Sequence, residues 1–557
     1  MRPTQAARIL LLFLVVATTG FRFNNGLIYD DVHVIEISGV IHQHHRALEV
    51  FGQPTMFISS RPIENPSVDT YRPIPVLSFF VNSMMSGQKL WSYHLTNLLL
   101  HVVCVQLLYA LLLRWLGGKK IKAATIGAAF FAVHPWLAEA HVWINGRSDP
   151  FALAFGLGAA LVLLHRAPSP KRLLLAGLLF LCGLLSKETL LMTLPAFLFL
   201  DRKGTLSWKE RLLRVVPLGI AAIVYLALRV RVLHGMKTHQ DNRTLTDAML
   251  RGPALVFDAL VNLVVPTLPF LRSLRDDFNA LPRPLLYASF GALAIAAFLV
   301  FRYRTRWPRG PFASLFFVGS LAPVAGITVV LWPGYGRYLY LPAAALALAL
   351  ADLAAFALPR VKRPKLVLAA IGAYLVVMSA LLVSFTFDMA RDETLYLAAT
   401  ERRPNQAYSW GSLGLSYAYA EQDDLAIGAL KKAIAIEPNQ QRFGSQLAAV
   451  LARQQRCEEA RSIANDGIAR FHGPNSLATY HLALAACADS AASAAQELRA
   501  CLVLRPKRED CKELLTHLLT THPEAARARA ALRRLMADSP SKAFDDAWRP
   551  LAEEKDR

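Results

Sequence analysis

Two adjacent carboxylates, Asp30 and Asp31, stand in the segment NNGLIYDDVHVI, just behind an apolar run near residues 6–21. A carboxylate held at such a boundary is suited to take a proton from a hydroxyl group. The plain alternative is a solvated loop or a helix cap, where aspartate is common. Cations follow in four places. Arg72 lies in TYRPIPVLSFFVNSMM, and Arg147 lies in HPWLAEAHVWINGRSD with His134, Glu139 and Asp149. Lys187 stands in SKE beside Glu188, and Arg337 among the aromatic residues of GYGRYLYLP. Arginine grips a phosphate with a two-pronged fork and lysine meets it as a point charge, so cations gathered at one membrane face suit an anionic lipid. Each taken singly reads equally well as an interfacial anchor whose stem lies in the apolar layer.

The segment YHLTNLLLH adds His94, Asn97 and His101 at helical spacings of three, four and seven, hence on one face of one helix. Polar groups at such depth are costly and mark either a site or hydrogen bonds between helices. His101 is a weak metal candidate, because no cysteine or carboxylate nearby completes a ligand set. No metal ligands are assigned. The residues imply no cofactor and neither require nor exclude a divalent ion.

These residues need elements that hold them at one surface of a bilayer. The chain has 557 residues, 54% of them hydrophobic, and a mean hydropathy of +0.33, too apolar for an ordinary soluble protein. Eleven stretches are candidates to cross a hydrocarbon layer about 30 Å thick. They lie near 6–21, 93–116, 123–138, 149–166, 172–186, 188–201, 212–233, 284–302, 312–332, 338–358 and 364–387. Every second loop is basic, from Arg114 and Lys119 through Arg202 and Lys203 to Arg360 and Lys365, which marks the cytoplasmic side. The opposite side receives the long loop 22–92, the loop near 139–148, the turn at Lys187, the segment 234–283, the turn at 333–337 and the C-terminus. Nearly all the candidate residues fall there. The first run also has features of a cleaved signal peptide, with Arg8 ahead of it and small residues at Ala17–Gly20; the remaining topology is the same on either reading. The prolines and short apolar run after Tyr71 fit a helix along the membrane surface.

The formal net charge of +21 would suggest a nucleic-acid partner in a soluble protein. From Asp388 onward, however, 23 Lys and Arg face 23 Asp and Glu. The excess therefore sits in the membrane half, where it records orientation, and a nucleic-acid partner is excluded. Pro404, Pro438, Pro506 and Pro540 fall on a register of 34 residues, with His472 at the remaining step. That is the tetratricopeptide (TPR) period, and Trp410, Leu413, Gly414, Tyr417, Ala426, Leu430 and Ala433 keep its pattern. The chain is thus expected to be all-α, with a transmembrane domain at 1–387 and a TPR α-solenoid at 388–557. Its repeat units lie near 407–440, 441–474 and 475–508, with partial capping helices on either side. Cys457, Cys487, Cys501 and Cys511 lie in the second domain and form no CxxC pair. Disulfides among them require an oxidising compartment. Asn242-Arg243-Thr244 makes one N-glycosylation triplet in an outer loop.

The order YDD, YRP, HLTNLLLH, HPWLAEAHVWINGRSD, SKE, RYLYLP and then TPR units, along almost the whole chain, resembles the transmembrane and TPR repeat-containing proteins, which belong to the integral-membrane glycosyltransferases of the C-type fold. The resemblance implies a transferase that uses a polyprenyl-phosphate sugar, dolichyl-phosphate mannose in the eukaryotic members, with the first outer-loop carboxylate as catalytic residue. On this chain that role falls on Asp30 or Asp31. It implies a protein or glycan acceptor, which the TPR domain would bind, and an inverting displacement. Lys187, Arg337, Arg147 and Arg72 would meet the lipid phosphate, and His94, Asn97, His101, His134, Glu139 and Glu188 would support them. The relatives often carry Glu before the arginine of the last motif, where this chain has Gly336. The proline-, alanine- and arginine-rich style suggests a bacterial inner membrane, with the site and the repeats in the periplasm; a eukaryotic chain would place them in the lumen of the endoplasmic reticulum. The reading from another class is a catalytically silent, membrane-anchored TPR scaffold for envelope proteins. A transporter would instead show related halves or interrupted helices at mid-membrane depth.

Overall fold

The computed structural model describes residues 2–23, 25–59, 69–164, 169–201, 204–235, 245–265, 267–268, 283–323, 336–506, 508–538 and 541–553. The triplet at Asn242, the stretches 236–244 and 269–282 of the segment 234–283, the basic pair Arg202 and Lys203, the end of the expected span 312–332 and Pro540 lie outside them. Among the described residues every regular element is helical. The chain divides into two compact units, Met1–Arg391 and Asp392–Arg557.

In the first unit, α1 (Pro3–Thr19) leads through a run of short turns to α2 (Pro73–Ser86) and α3 (Trp91–Trp115). Next come α4 (Ile121–Ala132), the single-turn α5 (Ala138–His141), α6 (Ser148–Leu163) and α7 (Pro170–Leu184). They are followed by α8 (Leu194–Phe197), α9 (Trp208–Leu233), α10 (Leu245–Val264), α11 (Arg283–Arg302) and α12 (Gly310–Ala322), and finally by α13 (Tyr340–Ala357) and α14 (Pro364–Asp388). Four helical stretches, Trp91–Trp115, Trp208–Leu233, Gly336–Ala357 and Pro364–Asp388, are long and apolar enough to cross a membrane. Ile121–Ala132 with Pro135–His141, bent by 55°, makes a fifth if counted as one broken span. Among the described residues eleven such helices are not reached. Except for 284–302, which falls on the 20-residue α11, the other expected spans fall on shorter helices, because prolines and polar turns interrupt the apolar runs: Pro170 opens α7, and Lys187 and Glu188 separate it from α8. These helices still present large apolar side chains outward, among them Leu10 and Phe13 on α1, Leu174 and Leu178 on α7, and Ile295 and Phe298 on α11.

One apolar core joins α1, α3, α4, α6, α7, α9, α12 and α13. Small residues let its helices approach: a Cβ on Gly127 of α4 would lie 3.0 Å from the Ala351 side chain of α13. At the end of α13 away from Arg337, the buried Asp352 accepts the indole N–H of Trp307 (3.1 Å) and of Trp115 (3.4 Å) and pairs with Arg309 at 2.9 Å. A carboxylate at that depth is tolerated because it is paired with a cation and accepts two indole N–H groups. The helix α2 buries Val76, Phe79 and Phe80 and leaves Val81, Met84 and Met85 exposed, so it is one-sided rather than apolar all round.

The second unit opens with α15 (Asp392–Arg402). Packed helix pairs then follow: α16 (Ala407–Tyr419) with α17 (Asp423–Ile436), α18 (Gln441–Arg453) with α19 (Cys457–Arg470), α20 (Pro474–Ala486) with α21 (Ala491–Leu504), and α22 (Glu509–Thr520) with α23 (Ala525–Asp538), before α24 (Lys542–Ala552). Gly414 is needed where α16 meets α17, since a Cβ there would come within 2.7 Å of Leu430 Cγ. The Trp410 indole donates to Pro404 O at 2.7 Å, which ties the turn to its helix. Cys457 bonds to Cys487 and Cys501 to Cys511, with Cα separations of 5.3 and 6.6 Å.

Candidate functional site

The carboxylate turn follows α1. His94 on α3 bonds to Asn25 O (3.0 Å) and Asn25 Nδ2 donates to Met389 O (3.3 Å), which fixes the chain as it leaves the helix. Tyr29 takes a left-handed backbone, φ +57°, a strained state for a residue with a side chain, and so turns Asp30 and Asp31 inward. The two carboxylates differ in their partners. Asp31, 1% exposed, accepts the backbone N–H of Asn145 on Oδ1 (3.0 Å) and that of Ile28 on Oδ2 (3.4 Å). Asp30 accepts the Asn145 side-chain amide on Oδ2 (2.8 Å). Its Oδ1 is buried and has no hydrogen-bond partner among the described residues. Burial raises the pKa of Asp30 above the ordinary carboxylate value, against the opposing pull of the Asn145 bond and the Arg337 charge. A carboxylate of raised pKa with a lone pair to spare is a stronger base than a solvated one.

Asn145 can hold both carboxylates because the turn 143–147 is itself clamped. Asn97 Nδ2 donates to Trp143 O (2.7 Å) and Ile144 O (3.3 Å). Arg147, fully buried, donates to Ile144 O, Ser78 Oγ, Asn82 Oδ1 and Tyr93 O, and its guanidinium lies 4.3 Å from the Phe79 ring centroid. Those bonds occupy its fork and join α2, α3 and the 143–147 turn. His134 bonds to Leu263 O (3.0 Å) and accepts the Trp136 N–H (3.3 Å), while His101 bonds to Tyr340 Oη (2.8 Å) and Ala132 O (3.1 Å). Both nitrogens of each ring are thereby engaged. No group of three His, Cys, Asp or Glu suited to a metal ion occurs among the described residues.

The remaining cations gather around Tyr338. Arg72 forms a two-pronged pair with Glu188, at 3.0 Å from Nε and 2.6 Å from Nη2. Lys187 pairs with Asp149 at 2.5 Å and lies 4.9 Å from the Tyr338 ring centroid. Burial, aided by the nearby charges of Arg72 and Arg337, brings the Lys187 ammonium down to about 8 despite the Asp149 attraction. Arg337 differs from both. Its guanidinium lies 4.9 Å from the ring centroids of Trp143 and of Tyr338, and it donates to Tyr338 Oη at 2.9 Å. It forms no ion pair with a described carboxylate, and its buried Nε has no partner among the described residues. Its backbone N–H donates to Glu139 Oε2 (3.2 Å). Gly336 is required beside it, because a Cβ would lie 2.6 Å from Trp136 O and 3.3 Å from that carboxylate oxygen.

Asp30, Asp31 and Arg337 are thus brought together through Asn145 and Trp143, and Lys187, Arg72 and Glu188 join them through Tyr338. His94, Asn97, His101, His134 and Arg147 brace the surrounding turns and helices, and Glu139 braces the Arg337 turn. The sequence alone does not single out Asn145, Trp143 or Tyr338. Each stands inside a motif that it does mark, but an amide or an aromatic ring beside stronger candidates carries no signal of its own until its partners are known.

No family model matches the chain. It is 26% identical over 252 residues to the Caenorhabditis elegans protein O-mannosyl-transferase F38B6.6, covering 43% of this chain and 35% of that protein. It is 28% identical over 281 residues to protein O-mannosyl-transferase Tmtc2 of Drosophila melanogaster, covering 46% and 29%. With protein O-mannosyl-transferase TMTC3 of Homo sapiens it shares 31% over 136 residues, covering 24% and 14%. In each case the matched region is under half of this chain and at most about a third of the relative, a shorter stretch than the motif order alone suggests. The resemblance read from YDD through RYLYLP accordingly finds its curated relatives among the TMTC-type protein O-mannosyl-transferases.

Proposed function

We propose that this chain is an integral-membrane glycosyltransferase that moves a hexose from a polyprenyl-phosphate carrier to a hydroxyl acceptor, on a protein, at the outer face of the membrane. One observation carries the reading: Asp30 offers a buried carboxylate oxygen without a hydrogen-bond partner among the described residues in the same cluster as Arg337, a half-buried cation without an ion pair to any described carboxylate. The acceptor oxygen attacks the anomeric carbon on the face opposite the phosphate and its proton passes to Asp30 Oδ1. The bond from the anomeric carbon to the phosphate oxygen breaks, and its electron pair leaves with the polyprenyl phosphate. The configuration inverts. Arg337 takes the phosphate charge as it develops, with Lys187 and Arg72 adding to the positive field. A phosphate leaving group needs no general acid, so one base suffices, unlike the two carboxylates of glycoside hydrolases.

The shorter apolar helices support a bundle of about eleven spans, since their outward faces need lipid, and the successive helix pairs from Ala407 onward support the TPR solenoid as an acceptor-binding domain. The two disulfides of the second unit support its exposure to an oxidising compartment. Alkylating the denatured, unreduced protein should then label Cys104 and Cys182 alone, and after reduction all six cysteines. Six reactive thiols before reduction would place that domain in the cytoplasm.

The reaction is tested by giving the purified full chain, in lipid nanodiscs, polyprenyl-phosphate mannose and serine- and threonine-containing peptides, and reading transfer by mass spectrometry. A hexose on the peptide is expected. A folded protein that transfers none, in a strain whose glycoproteins are unchanged by its deletion, is a scaffold instead. The pH profile has a defined shape. Asp30 acts only when ionised, so kcat/KM falls as pH drops through its raised pKa. Lys187 helps only when charged, so activity also falls as pH rises through about 8. Lys187→Arg should shift the upper limb to higher pH and leave the lower limb in place.

A further inference from the structure

Trp143 is 5% exposed, and its indole Nε1 is buried with no hydrogen-bond partner among the described residues. Buried tryptophans usually find such a partner, and leaving a buried donor unsatisfied costs about 1–3 kcal/mol. The ring is nonetheless held firmly. Tyr29 meets it edge-on, with centroids 5.1 Å apart and planes at 73°, Arg337 lies over it, and Asn97 anchors its carbonyl. Two other polar atoms of the same cluster are buried and without partners among the described residues, Asp30 Oδ1 and Arg337 Nε. The three sit on residues that touch one another or share a neighbour: Arg337 rests on Trp143, Tyr29 precedes Asp30, and Asn145, two residues beyond Trp143, holds the Asp30 carboxylate. One acceptor and two donors are therefore presented together by a rigid frame. On the transferase reading, which this inference rests on, Asp30 Oδ1 meets the attacking hydroxyl and Arg337 the phosphate.

We propose that Trp143 binds the transferred sugar itself, its indole N–H donating to a ring hydroxyl of the hexose, and so selects among sugars. The hexose lies between phosphate and acceptor along the line of displacement, so a donor in the same cluster as the groups that serve those two ends is placed to meet the sugar. A site that hydrogen-bonds a particular hydroxyl discriminates against a sugar lacking it, because the buried donor is then left unsatisfied. Trp143 is thus a specificity-determining residue, distinct from the base and from the phosphate cations.

Trp143→Phe keeps an aromatic face for Arg337 and an edge for Tyr29 and removes only the N–H and one ring. In nanodiscs, with polyprenyl-phosphate mannose as donor, kcat/KM should fall about tenfold, the scale of one buried hydrogen bond. The wild type should lose as much with one member of the monodeoxymannosyl donor series, and Trp143→Phe should lose nothing further with that same member. Binding of polyprenyl phosphate without sugar should be unchanged. The ligand-free Tm should change little, because the loss of an unsatisfied donor offsets the packing lost with one ring. Additive losses with every deoxy donor, weakened polyprenyl-phosphate binding or a lowered Tm would each make Trp143 a structural residue and overturn the proposal. If the wild type turns over no donor, the transferase reading fails separately. The sugar contact is then read from binding alone: it requires the mannosyl lipid to bind more tightly than polyprenyl phosphate, and that margin to vanish in Trp143→Phe.

Discussion

Asp30→Asn should lower turnover with a polyprenyl-phosphate hexose by about 10²-fold or more, the scale of a positioned general base, while leaving donor binding and the melting temperature near the wild-type values. The asymmetry between the two aspartates makes this a sharp expectation. The carbonyl of the substituted amide can still accept the Asn145 side chain, so the turn survives, and a carboxylate whose buried oxygen has no partner among the described residues is exchanged for a neutral group. Asp31→Asn should behave differently. The Asp31 carboxylate receives backbone N–H groups on both oxygens, from Asn145 and Ile28, and an amide can accept on only one side. That variant should lose stability, on the order of 1–3 kcal/mol for a backbone donor left unmet, and lose activity through the displaced turn. Single-turnover rates, donor binding and thermal melts on both variants separate the roles. Full activity in the Asp30→Asn, Asp31→Asn double mutant would remove the mechanism. A deeper loss of chemistry in Asp31→Asn than in Asp30→Asn, at unchanged stability, would exchange the two assignments.

Arg337→Ala should cost a similar factor, but its loss should divide between binding and turnover. A cation that meets the phosphate in the ground state and more strongly as charge develops contributes to both. The expected result is a donor affinity weakened about tenfold and a kcat/KM lowered by about 10²-fold or more, the scale found when one stabiliser of developing charge is removed. Arg337→Lys should recover part of the binding, since the charge returns, and less of the turnover, since the fork does not. The same change at Arg147 should act through folding, because its donors are spent on Ile144, Ser78, Asn82 and Tyr93. An Arg147→Ala protein that melts like the wild type and loses only donor affinity would reverse the roles of the two arginines.

The class of the molecule was legible along the chain: an apolar composition, basic loops at alternate positions and a 34-residue proline register point to helices, to a membrane and to a separate repeat region. These are one-dimensional signals, because bilayer thickness, loop charge and repeat length are each written along the chain. The motif order likewise marked the candidate residues for chemistry. It left Asp30 and Asp31 equivalent and treated Arg72, Arg147, Lys187 and Arg337 as one set, since a residue's type does not say which of its lone pairs or N–H groups are already used. Contacts between distant segments settle which groups are used. Asn145, distant in the chain from the paired carboxylates, takes one oxygen of Asp30 and leaves the other, and its backbone engages Asp31. Glu188 and Asp149 engage Arg72 and Lys187, backbone and side-chain oxygens exhaust Arg147, and Arg337 keeps a buried N–H to give. Trp143 became visible for the same reason: a donor without a partner among the described residues is a property of its surroundings in three dimensions, and burial makes that lack costly enough to call for an explanation.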